Sequence, residues 1–333
     1  MNISLPETLT WQNEHLRLLD QRQLPQETVY LDINTLDDAW HAIQTLTVRG
    51  APAIGVAAAY ALAESMRDVP ADNFIAQLTE NGEYLKSARP TAVNLAWATD
   101  RLVELGTENP SYAALVEEAE HIHAADIKIC QDIGRHGASL IQPGANLLTH
   151  CNAGSLAVSR FGTATAPMYY QHDAGVPFHV YVDETRPLYQ GARLTAWELD
   201  QAGIDVTLIC DNMAATVMAT KGVDLVIVGT DRVTANGDVV NKIGTLNLAI
   251  LCQHFGVPFY VACPSSTFDA QTPSGNEVVI EERAADEIRQ QHAAGVNVYN
   301  PAFDVTPNHL VSGIITEHGI AHDNIQLRKL LAE

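Results

Sequence analysis

The hydrophobic and polar positions follow two different periods in the first 137 residues of the chain. Residues 8–33 contain three short stretches rich in strand-forming residues, TLTWQ, HLRLLDQ and ETVYLDI, which predict an antiparallel meander. From Thr35 onward apolar residues recur at three- and four-residue steps, as on helices buried along one face. Further helices are predicted over 56–66, 73–87, 92–106 and 112–137. We therefore expect residues 1–137 to form a mostly helical domain with a small antiparallel sheet.

From Gly144 the pattern changes to short apolar runs that alternate with helical stretches. Strands are predicted at 146–150, 178–183, 205–210, 224–229, 258–263 and 296–299. Helices are predicted near 155–170, 191–202, 213–220 and 243–255. This alternation is typical of a parallel sheet with helices on both faces. We therefore expect an α/β fold in which residues 138–333 form a Rossmann-like, doubly wound domain.

Composition narrows the class of partner. The 333 residues include 40 acidic residues against 19 Lys and Arg, which gives a formal charge of −21. This charge disfavours nucleic acid and anionic membranes, but a few local cations are enough to bind one phosphate group of a small molecule. We find no signal-peptide pattern at the start and no apolar run of about 18 residues, the length of a membrane span. The five cysteines include no CxxC pair, which favours reduced thiols and a cytoplasmic protein.

Two candidate catalytic residues directly follow predicted strands. Cys151, in LLTHCNAGSLA, stands between a strand and a predicted helix, whose positive end would favour a thiolate. The alternative is a buried structural cysteine. Asp231, in VIVGTDR, follows the strand at 224–229, and apolar walls there would keep its carboxyl group protonated, as an acid. The alternative is that Asp231 pairs with Arg232 or caps a turn.

Cations near predicted helix starts are candidate phosphate ligands. In RGAPAIG, the Arg49 guanidinium and the backbone at Gly50 and Ala51 would bind an oxyanion, although Pro52 as a simple helix starter also explains the motif. Arg89 is a second cation outside a helix interior.

Further polar residues follow other predicted strands. Asn241 and Lys242 precede the predicted helix at 243–255, which suits phosphate, with a solvated loop as the alternative. Polar residues are dense over 183–199, including Gln190, directly after a predicted strand, and packing alone does not explain them. Asp211 or Asn212 is the expected N-cap of the helix at 213–220. We find no GxG, GK[ST], HExxH or GxSxG motif and no metal-binding histidine pattern, so neither a metal nor a nucleotide cofactor is predicted.

Together these motifs resemble the methylthioribose-1-phosphate isomerase family over about residues 11–319. The stretches that carry the resemblance are RGAPAIG, THCNAGSLA, VDETRPLYQGARLTAWEL, DNMAA, VGTDRV, ANGDVVNKIGT and NPAFDVTP. The resemblance implies a homodimer that converts a sugar phosphate, 5-methylthioribose 1-phosphate, to 5-methylthioribulose 1-phosphate without a cofactor. It implies that Cys151 and Asp231 are catalytic. It implies substrate contacts at Arg49, Gly50, Ala51, Arg89, Gln190, Asn241 and Lys242.

The wider superfamily leaves alternatives open. It includes isomerases of ribose 1,5-bisphosphate, and 5-deoxyribose 1-phosphate is a further possible substrate. It also includes non-catalytic regulatory subunits of a translation-initiation exchange factor, in which loss of the cysteine–aspartate pair is expected, whereas both residues are present here. One departure from the family is Thr230, where alanine is common, and its hydroxyl is placed to hydrogen-bond Asp231.

The implied reaction explains the residue types. The phosphate on the anomeric carbon blocks simple ring opening, so an acid must protonate the ring oxygen while the C1–O4 bond breaks. Asp231 is the candidate acid. Hydrogen then moves from C2 to C1, either as a proton through an enediol with Cys151 as base, or as a hydride in a dry pocket shaped by Cys151. The sequence leaves both routes open.

Overall fold

A computed structural model describes residue 3 and residues 5–90, 92–289 and 295–332. The chain packs as two compact units. The smaller unit comprises Leu5–Lys128 and Ser155–Gly162, and the larger unit comprises Ile129–Gly154 and Thr163–Glu333 with the first residues of the chain. The division of the chain into domains at residues 1–137 and 138–333 stays a prediction.

The smaller unit contains the predicted meander and helices. Strands β1 (Leu9–Gln12), β2 (His15–Leu19) and β3 (Tyr30–Ile33) form an antiparallel sheet in that order. They are followed by α1 (Leu36–Gln44), α2 (Ala51–Glu64), α3 (Phe74–Ser87) and α4 (Val93–Glu108), and α5 (Tyr112–Ala138) begins in the smaller unit and ends in the larger one. Thr35 begins α1 in a capping box with Asp38. Helix α2 is buried almost throughout, and its alanines allow neighbouring elements to pack closely around it.

The larger unit alternates strands and helices. Its elements are β4 (Ala145–Thr149), α6 (Ala166–Asp173), β5 (Phe178–Asp183), α7 (Ala196–Gln201), β6 (Asp205–Ile209), α8 (Ala214–Thr220), β7 (Leu225–Val228), β8 (Arg232–Thr234), β9 (Val239–Lys242), α9 (Thr245–Phe255), β10 (Phe259–Ala262), β11 (Phe268–Asp269), β12 (Phe303–Thr306), β13 (Gly313–Thr316), β14 (Gly319–Ala321) and α10 (Asn324–Leu330). Among the described residues of either unit, no helix has the length and apolar character needed to cross a membrane.

A large, mostly parallel sheet organises the larger unit. In the described residues seven strands pair in the order β14-β13-β10-β7-β4-β5-β6, and only β14 runs antiparallel to its neighbour. From β4 the chain builds β5 and β6 on one side, and then β7, β10 and β13 on the other. The strand order therefore reverses between β4 and β7, and ligands of open α/β sheets bind at the carboxyl ends of the strands at such a point. The predicted α/β fold is confirmed.

Three local predictions differ from the structure. The helix predicted near 155–170 is wrong over most of its length, because Ser155–Ala157 form a single 3₁₀ turn and α6 begins only at Ala166. The strand predicted at 296–299 is wrong: Val296 and Tyr299 are 60% and 78% exposed, so they contribute no core face to a sheet. A smaller sheet in the order β11-β8-β9-β12 was not predicted.

Candidate active site

Cys151 lies two residues beyond β4 in a tightly held turn. Its φ of +62° is in the left-handed region, which costs free energy for a residue other than glycine. Its N–H donates to Thr185 Oγ1 at 2.8 Å, and its carbonyl oxygen accepts from Thr195 Oγ1 at 2.6 Å. Two threonine hydroxyls therefore fix both backbone groups of Cys151. The helix expected to begin near residue 155 is instead a single 3₁₀ turn, Ser155–Ala157, so a helix dipole does not account for an activated thiol here.

The small residues after Cys151 are explained by a buried carboxylate. Glu198 is fully buried, and its Oε1 accepts from the Asn152 side-chain amide at 2.9 Å. A Cβ at Gly154 would lie 1.4 Å from the same Glu198 oxygen. Glycine is therefore required at position 154, and the turn and Glu198 pack as one block.

His150 connects three segments beneath this turn. Its Nδ1 lies 3.0 Å from Asp183 Oδ2, and its Nε2 lies 2.9 Å from the Ile243 carbonyl oxygen. Both side chains of the pair are buried. Burial raises the pKa of Asp183 to about 6. Burial by itself lowers the pKa of His150, but the bond to Asp183 and the nearby charges, including Asp211, outweigh it, so that the pKa is raised.

The turn after β5 is held by Asp211. This carboxylate accepts from the backbone N–H groups of Thr185 at 2.8 Å and Arg186 at 2.7 Å. The prediction that Asp211 or Asn212 caps the following helix is wrong, since the residue at the N-cap of α8 is Met213 and makes no side-chain cap bond. Asp211 instead shapes the polar segment that the sequence analysis singled out.

Gln190 stands at the start of a π-helical turn, Gly191–Thr195. Such turns are frequent at functional sites. A Cβ at Gly191 would lie 1.7 Å from the Asp183 carbonyl oxygen, so glycine allows the turn to approach the end of β5. Gln190 is buried, and its Oε1 finds no hydrogen-bond donor among the described residues. It is an acceptor that a ligand hydroxyl can satisfy.

Asp231 lies three residues beyond β7, in a turn built differently from that of Cys151. Its N–H donates to the Val240 carbonyl oxygen at 3.0 Å, and its side chain is exposed. The expectation of apolar walls around Asp231 is wrong. The Arg232 guanidinium binds Asp269 at 3.0 Å.

Thr230 stabilises the same turn through its hydroxyl. Its Oγ1 lies 2.8 Å from the Val240 carbonyl oxygen and 2.9 Å from that of Arg232. It also accepts from the Arg232 N–H at 3.2 Å. The hydroxyl therefore bonds backbone atoms of the turn, rather than the Asp231 carboxylate as the sequence suggested.

The two turns meet at the edge of the sheet. Strands β4 and β7 are parallel neighbours, paired at Leu147–Leu225 and Leu148–Val226. A Cβ at Gly229 would lie 2.4 Å from Ala153 Cβ, so the segment after Cys151 packs against the segment before Asp231. The structure thus brings Cys151 and Asp231 to the same edge, on neighbouring strands.

Asn241 and Lys242 end strand β9 and precede α9, as the sequence predicts. The N-terminus of α9 is already occupied by the Asp304 carboxylate, which accepts from the N–H groups of Gly244 at 2.8 Å and Leu246 at 3.1 Å. Burial raises the pKa of Asp304. Asn241 Nδ2 donates to Thr245 Oγ1 at 3.0 Å.

Lys242 is the cation of this strand end. Its Nζ lies 4.8 Å from the centre of the Phe303 ring, an attractive contact for an ammonium group. The Lys242 side chain therefore has a defined position, next in the chain to Ile243, whose carbonyl oxygen is bonded by His150.

The remaining predicted residues belong to the smaller unit. Gly50 has a φ of +89°, and a Cβ there would lie 2.1 Å from the Ala157 carbonyl oxygen, so glycine is required on both grounds. Helix α2 begins at Ala51 with Pro52 in its first turn and without a side-chain cap. Arg49 is half-buried directly before it. Arg89 is half-buried in the short connection between α3 and α4.

Sequence reasoning missed the residues that hold the site. His150 and Thr185 stand inside the quoted motifs without an assigned role, and Glu198 and Asp304 had no recognised role either. A buried histidine directly before the candidate cysteine was the available signal. The partners that give these residues their roles are 33 or more positions away in the chain.

Comparison with known proteins shows which family and which relatives the chain resembles. Residues 47–323 match the Initiation factor 2 subunit family. The chain is 50% identical over 335 residues to the methylthioribose-1-phosphate isomerase of Geobacillus thermodenitrificans (strain NG80-2), covering 97% of this chain and 94% of that relative. The isomerase of Geobacillus kaustophilus (strain HTA426) is 51% identical, covering 96% of this chain and 94% of that relative.

Two solved structures are similar over nearly the whole chain. The crystal structure of 5-methylthioribose 1-phosphate isomerase from Pyrococcus horikoshii OT3 is 40% identical with a TM-score of 0.95, covering 99% of this chain and 97% of that chain. The crystal structure of the translation initiation factor eIF-2B, subunit delta, from A. fulgidus is 38% identical with a TM-score of 0.92, covering 99% and 100%. The resemblance inferred from the motifs is confirmed.

Proposed function

The chain belongs to the Initiation factor 2 subunit family, and from this membership we propose that it is an aldose–ketose isomerase that converts 5-methylthioribose 1-phosphate to 5-methylthioribulose 1-phosphate in methionine salvage. The observation that carries the proposal is the identity of about 50% over nearly the full chain with relatives named for this activity. The presence of both Cys151 and Asp231 at the point where the strand order reverses supports it.

The proposed reaction moves two hydrogens within the sugar. A proton is added to the ring oxygen O4 as the C1–O4 bond breaks, and the C2 hydroxyl loses its proton as the ketone forms. The hydrogen on C2 moves to C1. We propose that Asp231 donates the proton to O4 and accepts the proton from the C2 hydroxyl. Its exposed carboxyl group is open to the incoming substrate. Seating the substrate over Asp231 removes water from it, which favours the protonated acid that ring opening needs.

We assign to Cys151 a role in the transfer of hydrogen from C2 to C1 of the sugar. In one route its thiolate removes the C2 proton and the resulting enediol is reprotonated at C1. In the other a hydride passes directly from C2 to C1, and Cys151 shapes the dry space for this transfer. The two threonine hydroxyls hold the backbone of Cys151, and with it the point from which its side chain projects, in one place, which supports either role.

The proposed binding residues suit a sugar phosphate. The buried Gln190 carbonyl would accept a sugar hydroxyl. Asn241 and Lys242 would contribute an amide and a positive charge. Arg49, Gly50, Ala51 and Arg89 would contribute guanidinium groups and helix N-terminal N–H groups. This chemistry requires no cofactor, and we propose that none is used.

We further propose a homodimer in the cytoplasm. Strand β6 is an edge of the large sheet, and exposed Leu208 on it and Met213 beyond it are apolar groups that a second copy would cover. All five cysteines lie in the described part of the chain and are present as thiols, as a reducing compartment favours. Light scattering on the purified protein tests the dimer, and a monomer at micromolar concentration contradicts it.

Incubation with 5-methylthioribose 1-phosphate, without added metal, tests the activity. We expect the ketose to appear in the NMR spectrum. In deuterated water, deuterium at C1 of the product contradicts a direct hydride shift. Ribose 1,5-bisphosphate and 5-deoxyribose 1-phosphate serve as competing substrates, and faster conversion of either would reassign the substrate.

A regulatory subunit is the second candidate, because the eIF-2B delta-subunit structure is nearly as similar as the isomerase structure. It predicts no turnover of any of the three sugar phosphates. Turnover that is lost in Cys151→Ser rejects it.

A further inference from the structure

His150 lies outside the proposed set of catalytic and binding residues, yet it is bonded to the segments that carry them. It directly precedes Cys151. Its Nδ1 faces the carboxylate of Asp183 at the end of β5, and its Nε2 faces the carbonyl oxygen of Ile243, the residue after Lys242. A buried side chain that bridges the ends of separate strands fixes their relative positions.

Both ring nitrogens of His150 face hydrogen-bond acceptors. A carbonyl oxygen only accepts, so Nε2 must carry a proton for the bond to Ile243. The Nδ1–Asp183 contact then needs one further proton, either on Nδ1 or on the carboxyl group. With this proton the pair is neutral as a whole, which lowers the cost of burying it.

The surroundings of the pair favour retention of this proton. Asp183 Oδ1 finds no hydrogen-bond donor among the described residues, so an isolated carboxylate there would be poorly stabilised. The charged groups that face His150 from the packed elements are Asp183, Asp211 after β6, and Asp304 on β12, and Glu184 faces Asp183. All of them are acidic, and a positive charge on the imidazole is therefore favoured.

We propose that His150 is a positioning residue which, as an imidazolium paired with the Asp183 carboxylate, ties the Cys151 turn to the strand end that carries Asn241 and Lys242. The proposal rests on the proposed function for the roles of Cys151 and Lys242. The bond to Asp183 positions the reacting thiol, and the bond to Ile243 positions the phosphate-binding strand end. The two bonds therefore serve different steps.

Two substitutions separate the two bonds. In His150→Asn the side-chain amide nitrogen is two bonds from Cβ, as Nδ1 is in histidine. This variant therefore keeps a donor for Asp183 and loses the hydrogen bond to the Ile243 carbonyl oxygen. In His150→Gln the side-chain amide nitrogen corresponds to Nε2 of histidine. This variant therefore keeps the hydrogen bond to the Ile243 carbonyl oxygen and loses the one to Asp183. With 5-methylthioribose 1-phosphate, we expect His150→Asn to raise KM at least 10-fold with little change in kcat. We expect His150→Gln to lower kcat at least 10-fold with little change in KM. Equal losses in both variants would overturn the proposal.

Two measurements do not depend on activity. In the wild-type protein labelled with ¹⁵N-histidine, we expect two protected imidazole N–H resonances for His150 near pH 7, assigned by their loss in His150→Asn and His150→Gln. The absence of either resonance overturns the protonated pair. A stoichiometric metal ion in the purified protein also overturns it, because the metal would take the place of the shared proton between His150 and Asp183.

The second measurement is the rate of Cys151 alkylation by iodoacetamide, read by mass spectrometry. We expect this rate to change at least 5-fold in His150→Gln and to remain near wild type in His150→Asn.

The kinetic, NMR and alkylation experiments distinguish a failure of the proposed function from a failure of the proposed role of His150. If the wild-type protein converts none of the sugar phosphates, the proposed function fails, while the resonances and the alkylation rates still decide whether His150 positions Cys151. If the wild type is active and both variants behave as wild type, only the role of His150 is rejected.

The sign of the pH effect on stability follows from the same pair. Because the pKa of His150 is raised in the folded protein, its contribution is fully present below about pH 6.5, the value in an unfolded chain, and is lost as the pH rises through the folded value. The wild-type Tm should therefore fall more steeply than that of His150→Asn above pH 6.5. Parallel pH profiles of Tm would contradict a retained proton.

Discussion

The turns after β4 and β7 occupy neighbouring positions at one edge of the same sheet, yet they are built in opposite ways. Cys151 is half-buried in a left-handed conformation, and both of its backbone groups are bonded to threonine hydroxyls. Asp231 is exposed, and its turn is closed by the Thr230 hydroxyl and by pairing with β9. One turn is fixed by the interior of the protein and the other is supported mainly by its own hairpin.

This difference fits a division of labour in the proposed reaction. A group that acts on a carbon-bound hydrogen has to be placed accurately, because the transfer distance is short. A group that exchanges protons with oxygen atoms of the substrate has to be reachable before the substrate binds. Rigidity at Cys151 and exposure at Asp231 are therefore the properties we expect of the two partners.

The largest effects are expected from the two reactive groups themselves. Cys151→Ser and Asp231→Asn should each reduce kcat by about 10²–10⁴-fold, the usual value of a positioned acid or base, with Tm near that of the wild type. Matched controls are Cys210→Ser, another half-buried cysteine just beyond a strand of the sheet, and Asp224→Asn, an exposed aspartate at the other end of β7. Near-normal turnover in either reactive-site variant would remove that residue from the mechanism.

The packed turn should also be far less tolerant of added volume. Gly154→Ala places a methyl group against Glu198, so we expect a loss of about 3 kcal/mol or more and a Tm lower by about 10 °C. In the control Gly222→Ala the methyl group meets open space, and only the positive φ of +76° costs about 1 kcal/mol. Equal decreases of Tm in these two variants would show that the Cys151 turn is not tightly packed.

The sequence was sufficient for the positions of these residues but not for their environments. Buried strands such as 225–228 are short apolar runs that stand out in any sequence, and residues after such strands lie at the ligand-binding edge by topology alone. The exposure of Asp231 depends instead on how β8 and β9 fold back beside it, and that small sheet has no clear periodic signal.

Local reasoning also failed where a distant residue supplies the partner. The start of α9 looked open to a phosphate, but Asp304, some 60 positions later, occupies it. Asp211 looked like a helix cap, but it bonds a turn 25 positions earlier. Side chains that hydrogen-bond backbone groups have several possible partners, and only the tertiary fold selects among them.

A smaller effect is expected from the hydroxyl that holds the Cys151 turn. Thr185→Ala leaves the Cys151 N–H without its buried acceptor, which should cost about 2 kcal/mol. Because the thiol is then less well fixed, we expect kcat to fall about 10-fold, with KM little changed. Unfolding curves and steady-state kinetics measure both. A wild-type kcat would mean that this hydrogen bond is structural only.

The smallest effect is expected from the corresponding threonine at the other turn. Thr230→Ala removes bonds from a half-buried hydroxyl to backbone carbonyls in a hairpin that retains its strand pairing, so we expect a loss of about 1 kcal/mol. Turnover should stay within about 2-fold, because the hydroxyl bonds backbone atoms of the turn. Thr230→Ser keeps the hydroxyl and should match the wild type in Tm. If Thr230→Ala instead lowered kcat as strongly as Thr185→Ala, the Asp231 turn would need the same rigidity as the Cys151 turn, and the division of labour between the two turns would be rejected.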